Sequence, residues 1–307
     1  MNIRTHSDLG PVVWSEINKF SGLRKISIWC MEGPPRVLQG WADSLGSTLT
    51  HLELGVSPAS LAGVQRCAGV PPTILIAVLS QLPKLTALRL KGAPANAIPT
   101  IMGFLLNLRS LDTDYPGTYY SGRSESNDSL RPPPPFPALR ELTVRTSSMD
   151  IFGPQKLWGW IRELVPKPGL ETLKLHTFTI NSGHTSIPPM FILDLALIHG
   201  QTLRHFMVGE AQLTLGDIEC LCAKFPNLET LSCSSASPDI KSISQAISPA
   251  KNLRTLRLHV QWIPSGDSMN NVQFTAQDAT ELMRRSEYSK LRTIAIGPTL
   301  FTVRTKK

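Results

Sequence analysis

The side chains of this chain that could do chemistry are seven histidines, five cysteines and a scatter of charged residues. Four histidines, His51, His176, His205 and His259, stand at matching places in short apolar segments. Such a set could sense pH or ligate a metal. Zinc needs three or four converging ligands, whereas these four sit on different, mostly non-adjacent segments, so no metal residue is expected. The cysteines, Cys30, Cys67, Cys220, Cys222 and Cys233, are odd in number and sparse, which is no disulfide framework. Cys220 and Cys222 lack zinc-knuckle spacing, and Cys222 and Cys233 occupy apolar positions that suit a core. There is no Gly-x-Ser-x-Gly elbow, no phosphate-cradling glycine loop and no His pair on a helix beside Glu. His199 and His205 straddle a turn. The expectation is a protein that is not an enzyme, with no catalytic residue and no cofactor.

What must position the remaining polar groups is a repeat. An apolar residue, two others, an apolar residue, one other and a third apolar residue recur ten times. The copies are Leu23/Ile26/Ile28, Leu49/Leu52/Leu54, Leu85/Leu88/Leu90, Leu108/Leu111/Thr113, Leu139/Leu142/Val144, Leu170/Leu173/Leu175, Leu203/Phe206/Val208, Leu228/Leu231/Cys233, Leu253/Leu256/Leu258 and Leu291/Ile294/Ile296. The copy ending in Thr113 is the weakest. The last two positions of each are two residues apart, the period of a strand, so both point one way. One such strand cannot bury that face alone, and stacked copies can. First positions recur at steps of 23 to 38 residues, room for a loop and a helix returning the chain to a parallel strand. Thr214 with Asp217 and Thr275 with Asp278 read as capping boxes, and Asp239 as a cap before Ile240, Ile243 and Ile247. Pro83, Pro137 and Pro226 mark joints between helix and strand, since proline continues neither. The expected fold is an α/β leucine-rich repeat solenoid, an irregular horseshoe with a parallel sheet on its concave face and helices on its convex face. It spans residues 1–307 as one domain of about ten repeats.

Strand alternation assigns the concave face. Its outward positions carry six Lys or Arg (Lys25, Arg89, Lys91, Arg145, Lys174, Arg257) and four Asp or Glu (Glu53, Asp112, Asp114, Glu141). Mixed signs with one large aromatic, Trp29, suit a protein or peptide better than a nucleic acid, which calls for one sign of charge and stacking aromatics. The candidate partner-binding residues are Trp29, His51, Arg89, Lys91, Asp112, Glu141, Arg145, Lys174, His176 and Arg257.

In its repeat frame, its irregular repeat length and its apolar-Pro-x-Leu joints, as at Leu82-Pro83-Lys84-Leu85, the chain resembles the leucine-rich repeat region of fungal F-box-type proteins. The likeness covers roughly residues 11–297. It implies a scaffold that recognises proteins, in the manner of a ubiquitin ligase substrate receptor. Two departures matter. Ala93 and Ala236 stand where such repeats place Asn or Cys after the strand. No F-box is visible before Leu23, so binding of an F-box adaptor is not expected. The alternatives are a fragment or degenerate relative with no defined partner, and weak nucleic-acid binding through the basic surface, for Lys and Arg number 31 against 23 Asp and Glu.

Hydrophobic residues make up 41% of the chain, which argues against global disorder. Residues 1–10 contain no secretory apolar run, and Ile74–Leu82 is too short to span a bilayer. An intracellular location, cytoplasmic or nuclear, without membrane contact is expected. Residues 114–137 read as a long flexible insertion rich in Pro and Ser, in which Arg131, Pro134 and Pro137 match a spacing read by SH3-type grooves. After Gly297 and Pro298 the chain is expected to fold back as a short strand from about Leu300, guarding the sheet edge.

Overall fold

The computed structural model describes residues 1–5, 10–30, 45–56, 72–115, 135–146, 153–177, 186–263, 274–285, 289–297 and 299–303. Two compact units emerge, Met1–Ser147 with Glu163–Lys167, and Ser148–Arg162 with Pro168–Lys307. In the first, six strands follow one another in parallel: β1 Asn2–Thr5, β2 Lys25–Cys30, β3 His51–Val56, β4 Ala87–Leu90, β5 Ser110–Asp114 and β6 Glu141–Thr146. Helices Pro11–Asn18, Pro72–Leu79 and Ala97–Phe104 lie between them in sequence. In the second, β7 Thr172–Thr177, β8 His205–Leu213, β9 Thr230–Ser237, β10 Thr255–Trp262 and β11 Thr293–Ile296 are parallel neighbours. Helices Pro189–His199, Leu215–Lys224, Ile240–Ala246 and Ala276–Met283 intervene, and Gly153–Leu164 precedes β7. The fold is an α/β leucine-rich repeat solenoid.

The repeat frame accounts for the core. Leu23 apart, which is half-buried, every apolar position of the ten copies is buried, Thr113 included. The ten expected strands are β2 to β11, and two more adjoin them. At one end β1 pairs with β2, an addition to the expected set. At the other, β12, Thr299–Thr302, folds back antiparallel on β11, as expected and one residue earlier than the proline argument placed it. Phe301 there meets Phe274 edge to face, with centroids 5.6 Å apart.

Within each unit, successive copies from β2 to β6 and from β7 to β11 are hung by the same backbone device. The carbonyl two residues before a strand's first inward residue accepts two N–H groups from the next copy. Arg24 O takes Thr50 and His51, Thr50 O takes Thr86 and Ala87, and Thr86 O takes Arg109 and Ser110, all at 2.8 to 3.1 Å. In the second unit Glu171, Arg204, Glu229 and Arg254 play the same part. Side chains reinforce this joint. Asn107 Nδ2 donates to Pro83 O at 2.9 Å, Asn227 to Gln201 O at 2.9 Å and Asn252 to Pro226 O at 2.8 Å. The asparagines that the strand ends lack thus stand one residue before the first leucine. There each ties a loop carbonyl of one copy to the next.

The helix starts are those expected. Thr214 Oγ1 accepts from the Asp217 N–H at 3.1 Å and the Asp217 carboxylate accepts from the Thr214 N–H at 3.0 Å, with Thr275 and Asp278 repeating the pair. Asp239 accepts from the Ser242 N–H at 2.7 Å. Cys222 and Cys233 are buried, and burial pushes the Cys222 thiol up to about 12 and raises that of Cys233 as well. Residues 116–134, most of the expected insertion and of the Arg131–Pro137 motif, lie outside the described residues.

Candidate functional site

The inward positions of β2 to β6 are taken up by the core, which leaves their other face open. Strand register sorts the side chains on that face into rows. One row reads Asn2, Ser27, Glu53, Arg89, Asp112 and Thr143. Neighbouring strands stand about 4.8 Å apart, within reach of long side chains. Opposite charges on adjacent strands therefore meet. Arg89 Nη1 donates to Glu53 Oε1 at 2.5 Å, and its Nε lies 3.1 Å from Asp112 Oδ2, an ion pair without hydrogen-bond alignment. The other carboxylate oxygen of Asp112 accepts from Arg145 Nη1. The result is a chain of alternating sign across four strands: Glu53, Arg89, Asp112, Arg145. It is partly withdrawn from water, with the side chains of Arg145 and Asp112 exposed by 17% and 20%. Ion pairs in such positions are screened less than surface pairs.

Trp29 closes this network on one side. Its Nε1–H donates to Ser27 Oγ at 3.0 Å, and its ring crosses the neighbouring strand over Gly55. A Cβ at residue 55 would lie 2.6 Å from Trp29 Cζ3, so only glycine leaves room for the indole there. The ring then meets two cations. Arg89 Cζ is 5.0 Å from its centroid and Lys91 Nζ 5.2 Å. Both distances fit cation–π attraction. Among the described residues Lys91 has no carboxylate at ion-pair distance.

Asp114 completes the cluster. Gly92, at φ +78°, aims its N–H at Asp114 Oδ2 at 2.9 Å. Burial raises the carboxyl's pKa above its usual value, against the opposing pull of the Gly92 N–H, Lys91 and Arg145. The arrangement holds fixed charges and a half-covered aromatic surface. Among the described residues no nucleophile stands beside a base in it, and its fixed charges and aromatic surface are suited to binding.

Of the ten residues expected to bind a partner, five come together here: Trp29, Arg89, Lys91, Asp112 and Arg145. Glu141 lies at the margin, its carboxylate 3.3 Å from the Ser110 hydroxyl. His51 stands apart against Thr50 Oγ1 at 2.9 Å, and burial, then Lys25, lowers its pKa. Lys174, His176 and Arg257 belong to the second unit. There Lys174 on β7 faces Met207, while Arg257 on β10 faces Ser232 and Ala295, with β8 and β9 between the two cations. The histidines stay dispersed: His205 Nδ1 lies 3.0 Å from Thr230 Oγ1 and His259 is exposed. Among the described residues no group of three or more His, Cys, Asp or Glu could hold a metal ion. No described helix is long and apolar enough to cross a membrane. Glu53, Gly55 and Asp114 are site residues that the ten omit. Glu53 could have been found as the outward residue one strand from Arg89 in the same row. Gly55 could have been found as the glycine that breaks the outward series beside Trp29.

No protein-family model matches the sequence, and no curated protein matches it. Among solved structures the chain is similar to an internalin (inlF) from Listeria monocytogenes str. 4b F2365, at 12% identity and a TM-score of 0.42. That similarity covers 96% of this chain and 79% of the internalin.

Proposed function

We propose that this chain is a non-enzymatic recognition scaffold that binds a protein or peptide on the open face of β2 to β6, in an intracellular role like that of the substrate-receptor repeats of F-box proteins. The observation that carries the reading is the Glu53–Arg89–Asp112–Arg145 chain with Trp29 against it. Trp and Arg are the residue types most enriched where binding energy concentrates, and a half-covered indole is ready to lose its remaining water. The alternating charges set register and exclude partners of the wrong pattern, since a like charge placed opposite costs several kcal/mol. Because the ion pairs are already formed in the free chain, little side-chain freedom is lost on binding.

The test begins with a photo-crosslinking residue at Ser27, beside Trp29, to identify the partner in extracts, followed by affinity measurement with the purified partner. Arg145→Glu should weaken binding at least tenfold, because it breaks the contact with Asp112 and reverses the sign at one end of the chain. Arg257→Glu, which makes the same charge change on the second unit, should leave affinity within twofold. Equal losses from both would place the interface elsewhere. Docking to an F-box adaptor is not included in the proposal.

A further inference from the structure

The residue whose carbonyl hangs the next copy occupies the same place in every repeat, at the edge where the strands start. In the second unit this row alternates in sign. Glu229 holds Arg204 at 3.1 Å and Arg254 at 3.5 Å. In the first unit the same row reads Arg24, Thr50, Thr86, Arg109 and Arg140, with no acidic residue. Lys25 and Lys84 adjoin it, one residue after Arg24 and two before Thr86. All five of these Arg and Lys side chains are exposed. Among the described residues, Arg24, Lys25, Lys84 and Arg109 have no carboxylate at ion-pair distance. The described acids on β3, β5 and β6 already have donors: Glu53 has Arg89, Asp112 has Arg89 and Arg145, Asp114 has the Gly92 N–H, and Glu141 has the Ser110 hydroxyl.

We infer that this edge binds an acidic peptide segment, with Arg24, Lys25, Lys84 and Arg109 taking its carboxylates. The surface is separate from the open-face network and is argued from a different observation. Like charges in neighbouring copies repel one another, a cost that the second unit avoids by alternation and that a bound polyanion would remove here. The spacing sets the length of the ligand. From β2 to β5 is three strand intervals, about 14 Å at about 4.8 Å each, which an extended segment covers with about four or five residues. A peptide fits better than a nucleic-acid strand. The described row carries no Trp, Tyr or Phe on which bases could stack. The adjoining open face also presents Glu53, Asp112, Asp114 and Glu141, which would repel a continuous phosphate backbone but not a short acidic run.

Fluorescence anisotropy of the full chain tests this with three fluorescein-labelled probes: an octapeptide containing six glutamates, the same peptide with lysines, and an octathymidylate. The glutamate peptide should bind, and the other two should bind at least tenfold more weakly. Arg24→Glu with Arg109→Glu should lower the affinity for the glutamate peptide at least tenfold, and the milder pair Arg24→Gln with Arg109→Gln about threefold or more at an unchanged melting temperature. Lys156→Glu with Lys224→Glu changes net charge as much as the first pair, at exposed helix positions elsewhere, and should cost less than twofold. Three results would overturn the inference: no binding of the glutamate peptide, equal loss in the control pair, or tighter binding of octathymidylate. If an open-face variant such as Arg145→Glu abolished peptide binding while the edge variants did not, the acidic ligand would belong to the Trp29 site instead.

Discussion

Replacing Gly55 with alanine should change sign according to whether Trp29 is present. In an extended strand, Gly→Ala ordinarily stabilises by about 0.4–1 kcal/mol, because the unfolded chain loses conformational freedom. Gly55 has no special backbone to protect; the positive φ values belong to Gly22, Gly92, Gly169, Gly209 and Gly297. What it has is a neighbour. The new methyl would sit 2.6 Å from Trp29 Cζ3 and 2.7 Å from Cε3. The indole is rigid and tied by its Nε1–H to Ser27, so it must swing away as a whole. Overpacking of this kind costs about 1–3 kcal/mol. The swing also forfeits the contacts with Arg89 and Lys91, each worth about 0.5–1 kcal/mol at an accessible site. Gly55→Ala alone should therefore destabilise by about 1–4 kcal/mol. In a Trp29→Ala background the space is empty, and the same change should stabilise by about 0.5–1 kcal/mol. The coupling between the two substitutions, about 2–5 kcal/mol, is read from urea midpoints of the four proteins at constant m. If Gly55→Ala stabilised both backgrounds equally, the indole would not lie across β3, and the proposed binding face would lose its aromatic member.

Three further outcomes test other parts of the reasoning. Thr113 is fully buried with no hydrogen-bond partner for its hydroxyl, between Leu90 and Val144 on the adjoining strands, so Thr113→Val should raise stability by about 1 kcal/mol in chemical denaturation. Leu173, with no exposure, should tolerate no charge: Leu173→Arg should cost at least about 4 kcal/mol, and an unchanged melting temperature would show the repeat frame to be misplaced. The third outcome concerns pH. The carboxyl of Asp114 has its pKa raised by burial, so the native state favours its protonated form. That contribution is fully present below the ordinary value of 3.8 and is lost as pH rises through the raised native value. Asp114→Asn should remove this segment of the pH dependence, which melting temperatures measured from pH 3 to 7 would reveal as a flatter profile for the variant.

The parts of the fold that were legible in the sequence are those in which one residue type decides a local question. A leucine at the right period is buried whatever surrounds it, and a Thr three residues before an Asp closes a capping box without outside help. β1 was not legible for the converse reason. Asn2-Ile3-Arg4-Thr5 offers a single apolar residue, and what makes it a strand is the open ladder of β2 beside it. The irregularity in β8 between Met207 and Gln212 is likewise a matter of pairing with β9. For the site, the outward positions could be listed from alternation, but not which of them touch. That depends on register between residues 23 to 36 apart in sequence, such as Arg89 with Glu53 and with Asp112. Trp29 over Gly55 required knowing both the register and the direction in which the ring leans.

The placement of charge follows from the same geometry. Among the described residues on the open face of the first unit every acid has a donor, and the cations near them are largely consumed in providing it. A network that neutralises itself contributes little net field, so it discriminates by pattern rather than attracting by sign. The formal charge of +8 must then be expressed somewhere else on the molecule. The strand-start edge, where Arg24, Lys25, Lys84 and Arg109 stand without acids, is one such place. Attraction over distance and discrimination at contact make opposing demands on a charged group, since the first needs it unpaired and exposed and the second needs it paired and fixed. A repeat meets both demands because each copy contributes one residue to the edge and others to the face. Exchanging sign at the edge costs the face nothing, and that separation is why Arg24→Glu with Arg109→Glu should lower the association rate of an acidic partner more than it raises the dissociation rate, while Arg145→Glu should do the reverse.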